Sequence, residues 1–176
     1  MILRSAGALI LAASLAGCAA PNLSSAEDAG LTREERLTYG FSGARVHTEN
    51  AAHSLIGRDV TAEELSAALE RAADEYMVWT GGDRPAIVSI DIEAVNIISA
   101  GQTMLVGGVS ALQGTVSMTD AETGVQIGDA VTIITRGDGY APGGLLGVVT
   151  MRETPLEVDA LAEQFVRQAR RVLLGG

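Results

Sequence analysis

Apolar and polar residues alternate with two different periods along the chain. A period of two predicts a strand over 86–98, where apolar Val88, Ile90, Ile92 and Ala94 alternate with polar Ser89, Asp91 and Glu93. Similar composition, bounded by turn residues, predicts three more strands, at 41–48, 112–119 and 125–135. The last two are joined by a turn whose glycine, Gly124, can adopt positive φ.

Helical spacing appears twice. Thr61 and Glu64 form a capping box, and the apolar residues that follow recur every three or four positions: Leu65, Leu69, Ala72, Tyr76 and Trp79. A second helix is predicted from Thr154, with its apolar stripe at Val158, Leu161, Phe165 and Val172. The order strand, helix, three strands, helix predicts an α+β fold: a two-layer sandwich in which about four mainly antiparallel strands carry both helices on one face.

Two connections are more apolar than ordinary loops. The first, 99–111, contains Met104, Leu105, Val106 and Val109; the second, 137–151, contains Tyr140, Leu145, Leu146, Val148 and Val149. If exposed, these residues form a partner or oligomer contact, because large apolar patches on soluble domains mark interaction sites. The alternative is that each connection folds into a short hairpin or covers a sheet edge. Neither has the roughly 20 residues that a membrane-spanning hairpin needs.

The start of the chain carries a targeting pattern. Arg4 precedes a short apolar run that ends in small residues, and polar residues follow too soon for a spanning helix. Leu15-Ala16-Gly17-Cys18 resembles the lipobox of bacterial lipoproteins. The resemblance implies cleavage between Gly17 and Cys18 and acylation of Cys18. It therefore predicts a signal peptide at 1–17, a lipidated flexible tether at 18–38 and one domain at 39–176.

The predicted location and partners follow from the anchor and the charge. Ala19 and Ala20 replace the Asp that often retains such lipoproteins at the inner membrane, so the resemblance implies a periplasm-facing outer-membrane position, with inner-membrane retention left open. The chain has 22 acidic and 12 basic residues, a net charge of −10. This charge argues against nucleic acid and against electrostatic binding to anionic lipid. The expected partners are the membrane, through Cys18, and an envelope protein or a second copy.

A second resemblance lies at the turn between the last two strands. The strand, Asp120-x-x-Thr123-Gly124, strand and final helix resemble the order in small periplasm-facing lipoproteins, in the curli secretion lipoprotein and in the amino-terminal domain of TolB. The same residues are also favourable hairpin chemistry. The resemblance implies an envelope-associated α/β domain.

Candidate chemistry is sparse. His47, Glu49 and His53 match no established zinc spacing, and Asp91 with Glu93 suits a solvated strand face better than an acid/base pair. We therefore expect no metal, no cofactor and no enzymatic activity. The prediction is a non-catalytic, lipid-anchored domain that binds or assembles with envelope proteins. The alternatives are a carrier of a small apolar or lipidic ligand, which requires a pocket of about 300 Å³ or more, and an envelope hydrolase.

Overall fold

A computed structural model describes residues 29–53, 57–78, 81–138, 141 and 143–174. The leader, Gly17, Cys18 and Tyr140 lie outside these residues. The elements, in chain order, are α1 (Arg33–Thr38), β1 (Tyr39–His47), β2 (Ala52–His53), α2 (Ala62–Tyr76), β3 (Arg84–Asn96), α3 (Ala100–Leu105), β4 (Ala111–Asp120), β5 (Gln126–Arg136), α4 (Leu145–Thr150) and α5 (Thr154–Leu174).

The predicted α+β class is confirmed, but the sequence pattern did not indicate the parallel pairing of β1 and β2 with β3. The sheet order is β1-β3-β4-β5, and β2 pairs with β3 beyond the end of β1. The pairs β3–β4 and β4–β5 are antiparallel, as predicted, whereas β1 and β2 run parallel to β3. Parallel neighbours need a crossover connection, and α2 provides it between β1 and β3.

The core lies between the sheet and the layer formed by α2 and α5. The capping box of α2 is present: Thr61 Oγ1 accepts from the Glu64 backbone N–H at 3.1 Å, and the Glu64 carboxylate accepts from the Thr61 N–H at 2.9 Å. The predicted apolar face of α2 is buried at Leu65 and Leu69, and Phe165 of α5 is fully enclosed. Trp79, predicted on the same helix face, lies beyond the last residue of α2 and outside the described residues.

The alternation predicted for β3 is correct only as far as Ile92. Val88, Ile90 and Ile92 are buried, but the register with β4 shifts between Ile92 and Ala94. An extra residue at a bulge exchanges the two faces of the strand. The inward positions after the bulge are therefore Val95 and Ile97, and the predicted inward position of Ala94 is wrong.

The folded domain begins before Tyr39. Ala29 and Leu31 are buried in the core, and α1 starts with its own capping box between Thr32 and Glu35. Ala29 also makes backbone hydrogen bonds to two elements: its N–H donates to Val172 O of α5, and its carbonyl accepts from the Asp129 N–H of β5. The last ten residues of the predicted tether, 29–38, thus belong to the fold, because two apolar side chains and two backbone bonds fix their start.

No helix among the described residues is long and apolar enough to cross a membrane.

Candidate interaction surface

The two apolar connections fold into short helices that pack against each other. Gly108 and Ala141 exchange two backbone hydrogen bonds, of 3.1 and 2.9 Å, and the Gly144 N–H donates to Thr103 O at 3.1 Å. The helix in the first connection, α3, starts at a side-chain cap, where Ser99 Oγ accepts from the Gln102 N–H. These contacts bring together two segments that are more than 30 residues apart in the sequence.

The outward side of this helix pair is apolar. The large side chains that are exposed there define the α3–α4 patch: Met104 (45% exposed), Leu105 (82%), Val106 (70%), Leu145 (71%), Leu146 (78%) and Val149 (82%). Val109 and Val148 are half-buried beside it. The six residues expose roughly 300–500 Å² of apolar surface, at the 60–120 Å² per side chain that transfer energies imply. An area of this size equals the largest patch on a typical monomer, which is often functional.

The patch lies at one end of the sheet, and the described chain begins towards the other. Ala111 pairs with both Asn96 and Arg136, so β3 ends, β4 begins and β5 ends at the edge that bears α3 and α4. Ala29 instead contacts Asp129, seven residues before Arg136 along β5. At about 3.3 Å per residue, the start of the described chain and the patch end are roughly 20 Å apart along this strand.

Arg58 connects the two segments that carry the patch. Its Nε donates to Ile98 O at 2.7 Å, just before α3, and its Nη1 donates to Arg152 O at 2.8 Å, just after α4. Nη1 also donates to Thr154 Oγ1 at 3.0 Å, where α5 begins. Partial burial lowers the pKa of the guanidinium, and the nearby Glu157 carboxylate opposes this effect. Sequence patterns gave no indication of this residue, because its partners are 40 to 96 positions away.

Charge is absent from the patch itself. Neither Ala100–Leu105 nor Leu145–Thr150 contains an ionisable side chain. The charges nearest to these segments in the sequence are Arg136, Asp138, Arg152 and Glu153. Arg58 and the buried Glu157 lie beside them, and Arg152 is 3.8 Å from the Glu157 carboxylate. The patch end of this acidic protein is therefore close to neutral.

Two cavities bear on the carrier hypothesis. An open cleft of about 420 Å³ lies at the β4–β5 turn and includes Glu35, Tyr39, Arg84 and Asp120 in its lining. A smaller cavity of about 240 Å³ lies beside the patch, between Arg58, Met151 and Glu157. The cleft exceeds the volume set for a carrier, but it is not between the sheet and the helices, and its charged lining does not suit an apolar ligand.

The Asp120 turn forms the hairpin that its sequence favours. Asp120 Oδ1 accepts from the backbone N–H groups of Glu122 and Thr123 at 3.0 and 2.8 Å, and Gly124 has a φ of +71°. The Asp120 carboxylate also pairs with Arg84, whose guanidinium lies 5.0 Å from the Tyr39 ring centre. The hydrogen bond from the Thr123 backbone, followed by the other donors and Arg84, holds the pKa of Asp120 below its ordinary value.

Three of the polar side chains considered for catalysis or metal binding, His47, Asp91 and Glu93, have local partners. His47 Nδ1 lies 3.0 Å from Asp91 Oδ1, whereas His53 belongs to β2, which pairs further along β3. Glu93 accepts from Thr115 Oγ1 at 2.7 Å and from Gln113 Nε2 at 2.8 Å, and these bonds lower its pKa. In the part of the chain that the structure describes, no three His, Cys, Asp or Glu side chains converge as a metal site.

Comparison with known proteins finds only distant structural similarity. No family model matches the chain, and no curated protein matches it. Among solved structures, a Xanthomonas campestris protein of the DUF330 family has a TM-score of 0.40 and 11% identity over 78% of this chain and 81% of its own. The PelC dodecamer from Paraburkholderia phytofirmans has a TM-score of 0.39 and 10% identity over 85% and 95% of the two chains. A Caulobacter crescentus protein described as a candidate lipoprotein has a TM-score of 0.29 and 12% identity over 79% and 86%.

Proposed function

We propose that this protein is a lipid-anchored, non-catalytic domain that faces the periplasm and contacts envelope protein through the α3–α4 patch. The observation that carries the proposal is the patch itself, with six large apolar side chains exposed on an uncharged surface. Leaving such a surface in water is costly, and natural monomers seldom do so without a binding function.

A protein partner fits the patch better than a bilayer does. Segments that lie on membranes combine apolar residues with Trp or Phe and with a basic polar face. The helices α3 and α4 contain no aromatic and no basic residue, and the chain as a whole carries a net charge of −10. A contact with another protein requires neither aromatic residues nor a basic face on the patch.

The proposed anchor leaves the patch free to make such contacts. Ala29, where the described fold begins, is eleven residue steps from Cys18, and an extended chain of that many steps spans at most about 36–40 Å. The domain is thus held within one domain length of the membrane. Because the anchored end and the patch end differ, membrane attachment does not require the patch to face the bilayer.

Photo-crosslinking in intact envelopes tests the proposed contact. A photoreactive residue in place of Leu105 or Leu146 is expected to form adducts with protein, whereas the same residue in place of Leu37 is expected to form few. Leu37 is the matched control because it is 58% exposed in α1, away from the patch. Equal adduct yields at all three positions, or none at the patch, would contradict a specific patch contact.

Acyl labelling tests the anchor separately. In the Cys18→Ala variant we expect the fatty-acid label to be lost and the leader 1–17 to remain uncleaved. Substitution of Ser14→Ala, in the leader but outside the Leu15–Cys18 pattern, is expected to leave both readouts unchanged. A Cys18→Ala protein that keeps its label would refute lipidation at this residue.

A further inference from the structure

Three regions offer unassigned surface: the charged cleft at the β4–β5 turn, the cavity beside Arg58, and the α3–α4 patch. In the cleft, Arg84 is already engaged by Asp120 and by the Tyr39 ring. In the cavity, the carboxylate of Glu157 opposes the charge of Arg58 and Arg152. Of these three regions of the described chain, the patch exposes the largest number of large apolar side chains.

The size of the patch suits a contact between two copies. Its six side chains expose roughly 300–500 Å² on one copy, so mutual covering removes about 600–1,000 Å² from water. Specific interfaces start near 1,000 Å² in total. The half-buried Val109 and Val148 at the margin add to the area, so the pair lies at the lower limit of a stable interface.

Electrostatic repulsion between two copies favours contact at the patch end over contact elsewhere. Two chains that each carry −10 repel one another over most of their surfaces. The patch has no ionisable group, and the charges around it, Arg58, Arg136 and Arg152 against Asp138, Glu153 and Glu157, balance one another. The repulsion is therefore weakest where the apolar area is largest.

The proposed anchor permits the same contact between copies on one membrane. When two domains meet patch to patch, their described chains begin on the outer sides, each about 20 Å from the patch end. The eleven residue steps from Cys18 to Ala29 extend up to about 36–40 Å, which lets both anchors insert in one bilayer while the domains lie along it. Confinement to one surface also raises the effective concentration of each copy for the other.

We propose that the α3–α4 patch binds the same patch of a second copy, in a two-fold symmetric dimer anchored to one membrane. This inference rests on the proposed function and names its partner. In a two-fold contact the same surface is used on both members, so every patch substitution enters the interface twice. A single aspartate on each chain then places two like charges within an apolar interface.

Cysteine crosslinking in envelopes tests the dimer with the full chain. In the lipidated protein Cys18 is acylated, so Leu105→Cys or Leu146→Cys supplies the only free thiol. A bismaleimide is expected to convert either variant to a species of twice the monomer mass that contains only this chain. Leu37→Cys, the matched control in α1, is expected to remain monomeric. Adding Leu146→Asp to Leu105→Cys is expected to raise the dimer dissociation constant about tenfold or more, a change that needs only about 1.4 kcal/mol, and so to lower the dimer yield.

The outcomes separate the dimer from the broader function. A dimer yield that is equal at Leu37, or that Leu146→Asp leaves unchanged, overturns the symmetric contact. If the thiol variants stay monomeric while the photoreactive residue at Leu105 captures a different protein, the second copy is refuted and the partner-binding function stands. If neither position captures any protein, both proposals fail.

Discussion

Arg58 is the side chain on which the geometry of the patch depends, and its removal gives the sharpest stability prediction. Its guanidinium connects Ile98 O with Arg152 O and Thr154 Oγ1, so one residue joins the segments before α3 and after α4. Arg58→Met keeps much of the aliphatic length and removes every one of these donors. We expect the domain to lose stability and the α3–α4 pair to loosen.

The expected loss follows from the three hydrogen bonds. Bonds from a charged donor contribute about 1.5–3 kcal/mol each when they are shielded from water. Two of the three, to Ile98 and Thr154, are partly buried, whereas the bond to Arg152 is exposed and water can replace it. Part of the loss is regained because Nη2 of Arg58 is buried without a hydrogen-bond partner among the described residues. The net cost is about 2–3 kcal/mol.

Urea unfolding measures this cost. With an m-value of about 1–3 kcal/mol per M, the unfolding midpoint is expected to fall by about 1–2 M at unchanged m. Arg71→Met is the matched control, because Arg71 pairs with Asp159 at 2.7 Å on an exposed surface, where a pair contributes about 1 kcal/mol or less. Arg58→Lys is expected to be intermediate, since one ammonium cannot replace a planar fork.

A midpoint shift for Arg58→Met no larger than that for Arg71→Met would refute the reasoning. Amide hydrogen exchange gives an independent readout. Faster exchange at 98–106 and 145–154, with unchanged exchange in β4, is expected if Arg58 secures the patch segments. Uniform acceleration throughout the domain would instead mean that Arg58 acts only on global stability.

Three further predictions concern the core, the sheet and the loss of stability at low pH. Phe165→Ala is expected to cost about 3–5 kcal/mol in thermal unfolding, because the side chain is fully buried, and a cost near zero would contradict that burial. Gly114→Ala is expected to cost about 1–3 kcal/mol of stability, since the added Cβ would lie 2.7 Å from Asp91 O. Gly43→Ala is the control and is expected to be nearly neutral, because a Cβ at Gly43 has nothing within 4 Å. Equal effects of the two substitutions would contradict the predicted clash. The pKa of Asp120 is lowered in the fold, so its stabilisation is present above its ordinary value of 3.8 and is lost as pH falls through the lower folded value. The stability difference between the wild type and Asp120→Asn is therefore expected to shrink from about pH 5 downward, and a difference that does not change with pH would refute this role.

Local sequence was sufficient for most of the elements. The capping box at Thr61 and Glu64 located the start of α2, and the alternation in β3 identified Val88, Ile90 and Ile92 as core. It failed at Ala94, because a bulge is defined against the partner strand and leaves no mark in the period of one strand alone. The predicted tether, 18–38, also extends too far along the chain, since the burial of Ala29 depends on α5 and β5.

For the candidate surface, too, local sequence identified the segments, whereas the tertiary structure decided how they are arranged. The apolar composition of 99–111 and 137–151 identified the segments, and it left open whether they are exposed. Their union through Gly108 and Ala141 joins residues 33 positions apart, and Arg58 acts on partners as far as 96 positions away. Contacts of that kind depend on how the sheet and helices are arranged in space.

The sequence by itself determined the two long helices α2 and α5, the antiparallel strands and the apolar character of two connections, because periodicity, caps and turn residues act within a few positions of the chain. Tertiary structure alone decided the parallel placement of β1 beside β3, the packing of α3 against α4 and the exposure of six apolar side chains at the end away from Ala29. The physical reason is that burial is a property of the assembled chain. A leucine in a connection has the same local preferences whether the fold covers it or leaves it for a partner.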